Sequence, residues 1–307
     1  MKNGWRGGQY SLVRAVFGSY LLVHFIQLAP WAAELFSNQG VLSDARASPL
    51  LHLFPNVLAA WDSPAFVTAL VIAAAVMSGA FAVGFHDRLA AVLLWYIWAC
   101  LNGRMPLIGN PGLPYVGWLL LAHACLPAAP YGSLAACRRP DRGKGWRMPE
   151  DIFLVAWILM ALGYTYSGYT KLLSPSWLDG TAIAHVLENP LARPGLVHDT
   201  LLALPSGFLR LATWSALLLE LSFAPLALVP RLRPLLWALL LLMHLSLIVL
   251  VDFADLSLSM VMLHLFTFDP GWLRRRRAGE CDKRCIQAST RPTEALAEVS
   301  AALQGVR

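Results

Sequence analysis

Eight apolar runs separated by polar turns leave few folds open to this chain. They fall at about 12–35, 65–84, 88–101, 113–129, 151–170, 207–229, 234–251 and 256–270. A helix that crosses a hydrocarbon layer roughly 30 Å thick needs about 20 mostly apolar residues. Within lipid, every backbone polar group must be satisfied inside the segment, which favours helices over open strands. The third and eighth runs are short, so they are expected to tilt or to sit partly in protein. Charged residues make up only 14 % of the chain, against about a quarter in soluble domains. The 12 tryptophans suit interfacial belts. The fold class expected is an all-α integral membrane protein, a bundle of about eight transmembrane helices.

The basic residues test this count. With the N-terminus inside, the inner segments hold Lys2, Arg6, Arg14, Arg88, Arg138, Arg139, Arg142, Lys144, Arg147, Arg231, Arg233 and Arg274 to Arg277. The outer segments hold Arg46, Arg104, Lys171, Arg193 and Arg210. That bias follows the positive-inside rule, so both termini are expected on the cytoplasmic side. Residues 1–273 then form one polytopic domain, and 274–307 a basic, then polar cytoplasmic tail. A multi-pass protein of a cell inner membrane or plasma membrane is implied, with no cleavable signal peptide. The net charge of +6 sits in short runs suited to an anionic leaflet. No nucleic-acid-binding motif accompanies it, so membrane lipid and not nucleic acid is the expected partner. Cys281 and Cys285 form CDKRC, which is not the CxxC of a redox pair.

Two outer segments are long, at about 36–64 and 171–206, and each mixes apolar and polar residues. The first is expected to hold an interfacial helix near 49–61. The second is expected to hold a short helix with Asp179 as its cap and Pro190 at its end. Such elements could cover a cavity at the outer ends of the helices.

Ionisable groups in membrane helices are costly and usually face the bundle or a cavity. Lys171 follows "YTYSGYT" at the end of the fifth run. It could snorkel to the interface, or act as a base if held inside the bundle. Tyr164, Tyr166 and Tyr169 precede it, and Gly168 permits close helix packing. His244 sits within the seventh run, as an interhelical hydrogen-bond partner or a proton-transfer group. Glu220, in the sixth run, could pair with Lys171 or with His244. Asp252 and Asp255 mark the turn after the seventh run, and His24 and Glu34 occupy the first. Asn102, Arg104 and Asn110 form a polar patch between the third and fourth runs. Its arginine could bind a carboxylate or a quinone oxygen, or brace a loop. His185 and Glu188 supply at most two adjacent ligands, so no metal is expected.

"YTYSGYTKLLSPSWLDGTAIAHVL" resembles the core motif of the horizontally transferred transmembrane domain (HTTM) family, which includes the membrane domain of vitamin K-dependent gamma-carboxylase. "LFSNQGVLSD" is similar to that family's first outer loop. "LNGRMPLIGNPGLPYVGWLLLAH" is similar to its asparagine-arginine connection, and "LLLELSFAPLALVPRLRPLLWALLLLMHLSLIVLVDFADLSLSMVMLHLF" to its later helices. The resemblance covers about residues 10–273. It implies that Lys171 is a base acting on a quinol (menaquinol, ubiquinol or vitamin K-like), with molecular oxygen as the oxidant. It makes Lys171 and His244 the candidate catalytic residues. Arg104, Asn110, Tyr166, Tyr169 and Glu220 are the candidate ligand-binding residues. The carboxylase has a functional histidine after an asparagine, where this chain has Asn110-Pro111. Its large outer domain is matched here only by a short polar stretch. A quinol- or lipid-directed redox reaction is therefore expected over glutamate carboxylation.

Three classes of function stay open on the residues alone. One is an enzyme acting on a hydrophobic small molecule. Another is a non-enzymatic maturation, immunity or assembly factor for a secreted peptide or protein. The third is a small-solute transporter, for which a central histidine and glutamate would suit proton coupling.

Overall fold

Prolines and glycines set where the helices begin and end. Proline is tolerated in a helix's first turn, where its missing N–H would be unpaired anyway. Pro64, Pro114 and Pro234 stand in that position in three of the helices described below. Gly84 closes the helix that Pro64 opens, in the left-handed region at φ 70°, a conformation that costs a glycine little. The computed structural model describes residues 3–127, 133–134, 136–137 and 145–273. The tail 274–307, with Cys281 and Cys285, lies outside the described residues, as do Lys2, Arg138, Arg139, Arg142 and Lys144.

Eight longer helices occupy the eight apolar runs. They are α1 (Gly7–Leu28), α2 (Pro64–Val83), α3 (Asp87–Arg104), α4 (Leu113–Cys125), α5 (Glu150–Lys171), α6 (Ser206–Leu221), α7 (Arg233–Leu250) and α8 (Ala254–Thr267). α1 runs on through a 3-10 turn to give a 30-residue apolar stretch, Gly7–Phe36. No strand is present among the described residues beyond a single bridge between Ala192 and Val251.

Among the described residues, four helices are long and apolar enough to cross a membrane: Gly7–Phe36, α2, α5 and α7. A fifth crossing would be made by Leu196–Leu202 with α6, which meet at a 105° bend. α4 and α8 have 13 and 14 residues, so at 1.5 Å per residue each spans only about 20 Å. α8 compensates by burial. It packs on α1, α4, α5 and α7, and covers Ser257, Ser259, Met260, Met262, Leu263, His264, Phe266 and Thr267.

The sequence reading runs the sixth segment straight through to 229, but α6 stops at Leu221. Pro225 explains the break. It has no N–H to donate, and its ring clashes with the carbonyl four residues back, that of Leu221. The Ser222 hydroxyl donates to the Leu218 carbonyl at 2.5 Å, and the chain resumes as Phe223–Ala227.

The interfacial helix expected near 49–61 is replaced by turns and one 3-10 turn, Val57–Ala59. Polar side chains stitch this segment to α3 instead. Ser48 Oγ donates to the Gly103 carbonyl at 2.6 Å, and Asn56 Nδ2 to the Cys100 carbonyl at 3.0 Å. Such local bonds compete with helix formation. In the other long connection, Ala182–Leu187 is helical as expected. Its N-cap residue is Thr181, and Asp179 Oδ1 accepts from the Thr181 amide at 2.9 Å.

The eight helices lie within one compact unit, Arg6–Phe268. Among the described residues, a second, smaller unit joins 3–5 with 269–273. In its described part, Asp269 Oδ1 accepts from the amides of Gly4 and Gly271, both at 2.8 Å.

Candidate functional site: an ion pair above a buried tyrosine-histidine cluster

Gly168 is what brings α5 and α6 together. A Cβ at this position would lie 2.6 Å from the Leu221 amide nitrogen and 2.8 Å from its Cα. Only the missing side chain lets the two backbones approach so closely. One turn further along α5, Lys171 meets Glu220 of α6 in a direct ion pair. The Glu220 side chain is 4 % exposed and that of Lys171 21 % exposed. The Lys171 ammonium also donates to Ser167 Oγ at 3.4 Å, and stands 4.5 Å from the centre of the Trp177 ring. A cation over an aromatic face is held by the ring quadrupole. Trp177 comes from the short helix Pro175–Leu178, so the connection after α5 folds back over its own lysine.

Two turns back along α5, about 10 Å of helix rise, lies a second polar layer. Tyr164 is buried, and its hydroxyl is 3.5 Å from His264 Nε2. His264 Nδ1 bonds the Met260 carbonyl at 2.9 Å. A carbonyl only accepts, so Nδ1 carries the hydrogen and Nε2 is the acceptor for Tyr164. His244 stands beside both rings, 5.9 Å from Tyr164 and 6.0 Å from His264 between centroids. Its Nδ1 is 3.5 Å from Ser257 Oγ, while its Nε2 is buried with no hydrogen-bond partner among the described residues. Phe223 closes the cluster, 5.2 Å from Tyr164.

Of the sequence-derived candidates, Lys171 and Glu220 are in contact and His244 lies in the layer next to them. The other four are elsewhere. Tyr166 and Tyr169 are 68 % and 56 % exposed. Arg104 is fully buried at the end of α3. Its Nη2 donates to the carbonyls of Ser37 and Leu42 and to Asp62, at 3.1, 2.7 and 3.2 Å. Asn110 Oδ1 accepts from the Gly112 amide at 2.8 Å and lines a separate cavity.

Sequence reasoning did not single out His264, although a lone histidine in an apolar helix is the signal that marked His244. Trp177 was legible only as part of the resemblance motif.

Compared with known proteins, the chain matches no family model, no curated protein and no solved structure.

Proposed function

We propose that the chain is a multi-pass protein of a cell inner membrane or plasma membrane. All eight helices enter the bilayer and both termini are cytoplasmic. Within it, the Lys171–Glu220 pair serves acid-base chemistry on a hydroxyl-bearing apolar substrate of the quinol class. The reading is supported by four helices of spanning length and by the inward bias of the basic residues. The observation that carries it is a partly reachable amine whose counter-ion is buried.

The residues around Lys171 fit such a ligand. The amine stands beside the Trp177 ring, an apolar surface able to hold a ring. A quinol bound there would supply two electrons and two protons for the reduction of oxygen. Glu220 can take the ammonium proton across their direct contact, leaving a neutral amine. That amine then accepts the substrate hydroxyl proton, and Glu220 holds the first proton until the site resets. Trp177 holds the group as the ammonium, and Ser167 keeps it aimed once it is neutral.

A second reading is favoured by one specific fact, that Lys171 already has its carboxylate. A saturated pair can simply brace α5 on α6 in a maturation, immunity or assembly factor. Purified protein in lipid separates the two, with oxygen uptake and product mass followed across several quinols. Lysine-dependent quinol oxidation that disappears in a folded Lys171→Met/Glu220→Leu double variant supports the enzyme. Absence of turnover by folded parent protein moves the assignment to the brace.

A further inference from the structure

A cavity of about 230 Å³ lies between α1, α3, the connection into α4 and the start of α8, and none of the residues around Lys171 lines it. Most of its wall is apolar, with Phe25, Phe36, Trp98 and Phe253 supplying aromatic rings. Four polar side chains also reach it: His24, Asp255, Asn102 and Asn110.

Part of that polar capacity is already used, and the remainder defines a ligand. His24 Nδ1 lies 2.9 Å from an Asp255 carboxylate oxygen. Tyr20 adds a hydroxyl 3.4 Å from the same carboxylate. A carboxylate accepts only, so Nδ1 carries a hydrogen and Nε2 is the ring nitrogen left for a ligand. His24 makes no other hydrogen bond among the described residues. Asn102 Nδ2 donates to the Trp98 carbonyl at 2.8 Å, which leaves its Oδ1 as an acceptor. Asn110 Oδ1 accepts from Gly112, which leaves its amide N–H groups as donors.

We propose that this cavity is a second ligand site, which takes an uncharged molecule of about one ring carrying a hydroxyl group, received by His24 Nε2. A hydroxyl both donates and accepts, so it can bond His24 Nε2 and also suits the acceptor of Asn102 or the donors of Asn110. A carboxylate or phosphate would meet the Asp255 carboxylate, whose contact with His24 is already made. The volume sets the size. An apolar cavity of about 150 Å³ holds benzene, and pockets for drug-sized ligands start at about 300 Å³. The His24 ring lies 5.1 Å from that of Trp98, so a flat ligand would meet aromatic wall beside its hydrogen bond. The site goes beyond the Lys171 reading and does not rest on it.

The test uses the full chain in lipid nanodiscs and fluorine NMR of three probes: 4-fluorophenol, 4-fluoroanisole and fluorobenzene. The parent protein should bind 4-fluorophenol about tenfold more tightly than 4-fluoroanisole, whose hydroxyl is capped, the worth of one hydrogen bond. His24→Phe should remove that preference while leaving fluorobenzene binding in place, and Leu28→Trp should fill the cavity and abolish binding of all three. Equal affinity of the parent for 4-fluorophenol and 4-fluoroanisole overturns the proposal without any variant. Binding that survives Leu28→Trp overturns it too, since it would then be partition into lipid.

Discussion

Glu220 is the ion-pair partner of Lys171 across 49 positions of sequence, and the carboxylate is the deeper of the two. Removing the lysine alone strands a buried charge. Lys171→Ala should therefore destabilise the protein by about 3 kcal/mol or more, whereas the apolar double change Lys171→Met/Glu220→Leu should be near neutral. Denaturation in mild detergent with increasing SDS measures both. A double variant that is worse than either single change would contradict the pair.

Close helix approach should make two glycines intolerant and leave a third permissive. At Gly168 the added Cβ would strike the Leu221 backbone, and at Gly18 it would come 2.6 Å from Ala82 Cα. Gly168→Ala and Gly18→Ala should each cost about 1–3 kcal/mol. Gly79 of α2 has nothing within 4 Å of such a Cβ, so Gly79→Ala should be neutral or stabilising by up to about 1 kcal/mol. Thermal unfolding of the three variants ranks them, and a Gly79→Ala loss as large as the others would refute the packing argument.

Arg104 ties the end of α3 to the chain on both sides of the 37–62 connection. Arg104→Ala should release that connection, at a cost of about 3–5 kcal/mol for the stranded Asp62 and carbonyl partners. Limited proteolysis should then cut within 38–61 in the variant before the parent. Identical cleavage patterns would show that the guanidinium does not hold the loop.

Asp179 gives a pH-dependent element. The Thr181 hydroxyl and then its amide donate to Asp179 Oδ1, and hold this carboxyl below its usual range. A depressed folded value means a stabilising contribution that is present above the unfolded value of about 3.9. It is lost as pH falls through the lower folded value. The Thr181 amide should thus keep its protection from exchange at pH 5 and lose it in stronger acid. Asp179→Ala should lose it at both, and a Thr181 amide that exchanges equally in parent and variant would remove the capping role.

The helices were legible because uninterrupted apolar length is a local property. Each of the eight runs holds a helix among its described residues, and the main boundary missed, at Leu221, follows from Pro225 in the sequence itself. The 49–61 segment was not legible in the same way. Its conformation depends on Ser48 and Asn56 finding carbonyls of α3 about 50 residues away. The site shows the same division. Lys171 stands out as a charge at the end of an apolar run, and Glu220 as a charge within one. That they choose each other over His244 depends on the register set by Gly168. His24 and Asp255 are 231 positions apart, and nothing in the sequence of either helix announces the other.

α6 bears two loads along one axis. At Thr213 and Trp214 it holds the short helices of the covering connection, through bonds to the Ile183 amide and the Leu178 carbonyl. About two turns further along it carries Glu220. The helix between them is continuous, so it acts as a lever with the cover at one arm and the carboxylate at the other. A displacement of those short helices would thereby shift the counter-ion of Lys171 without touching it.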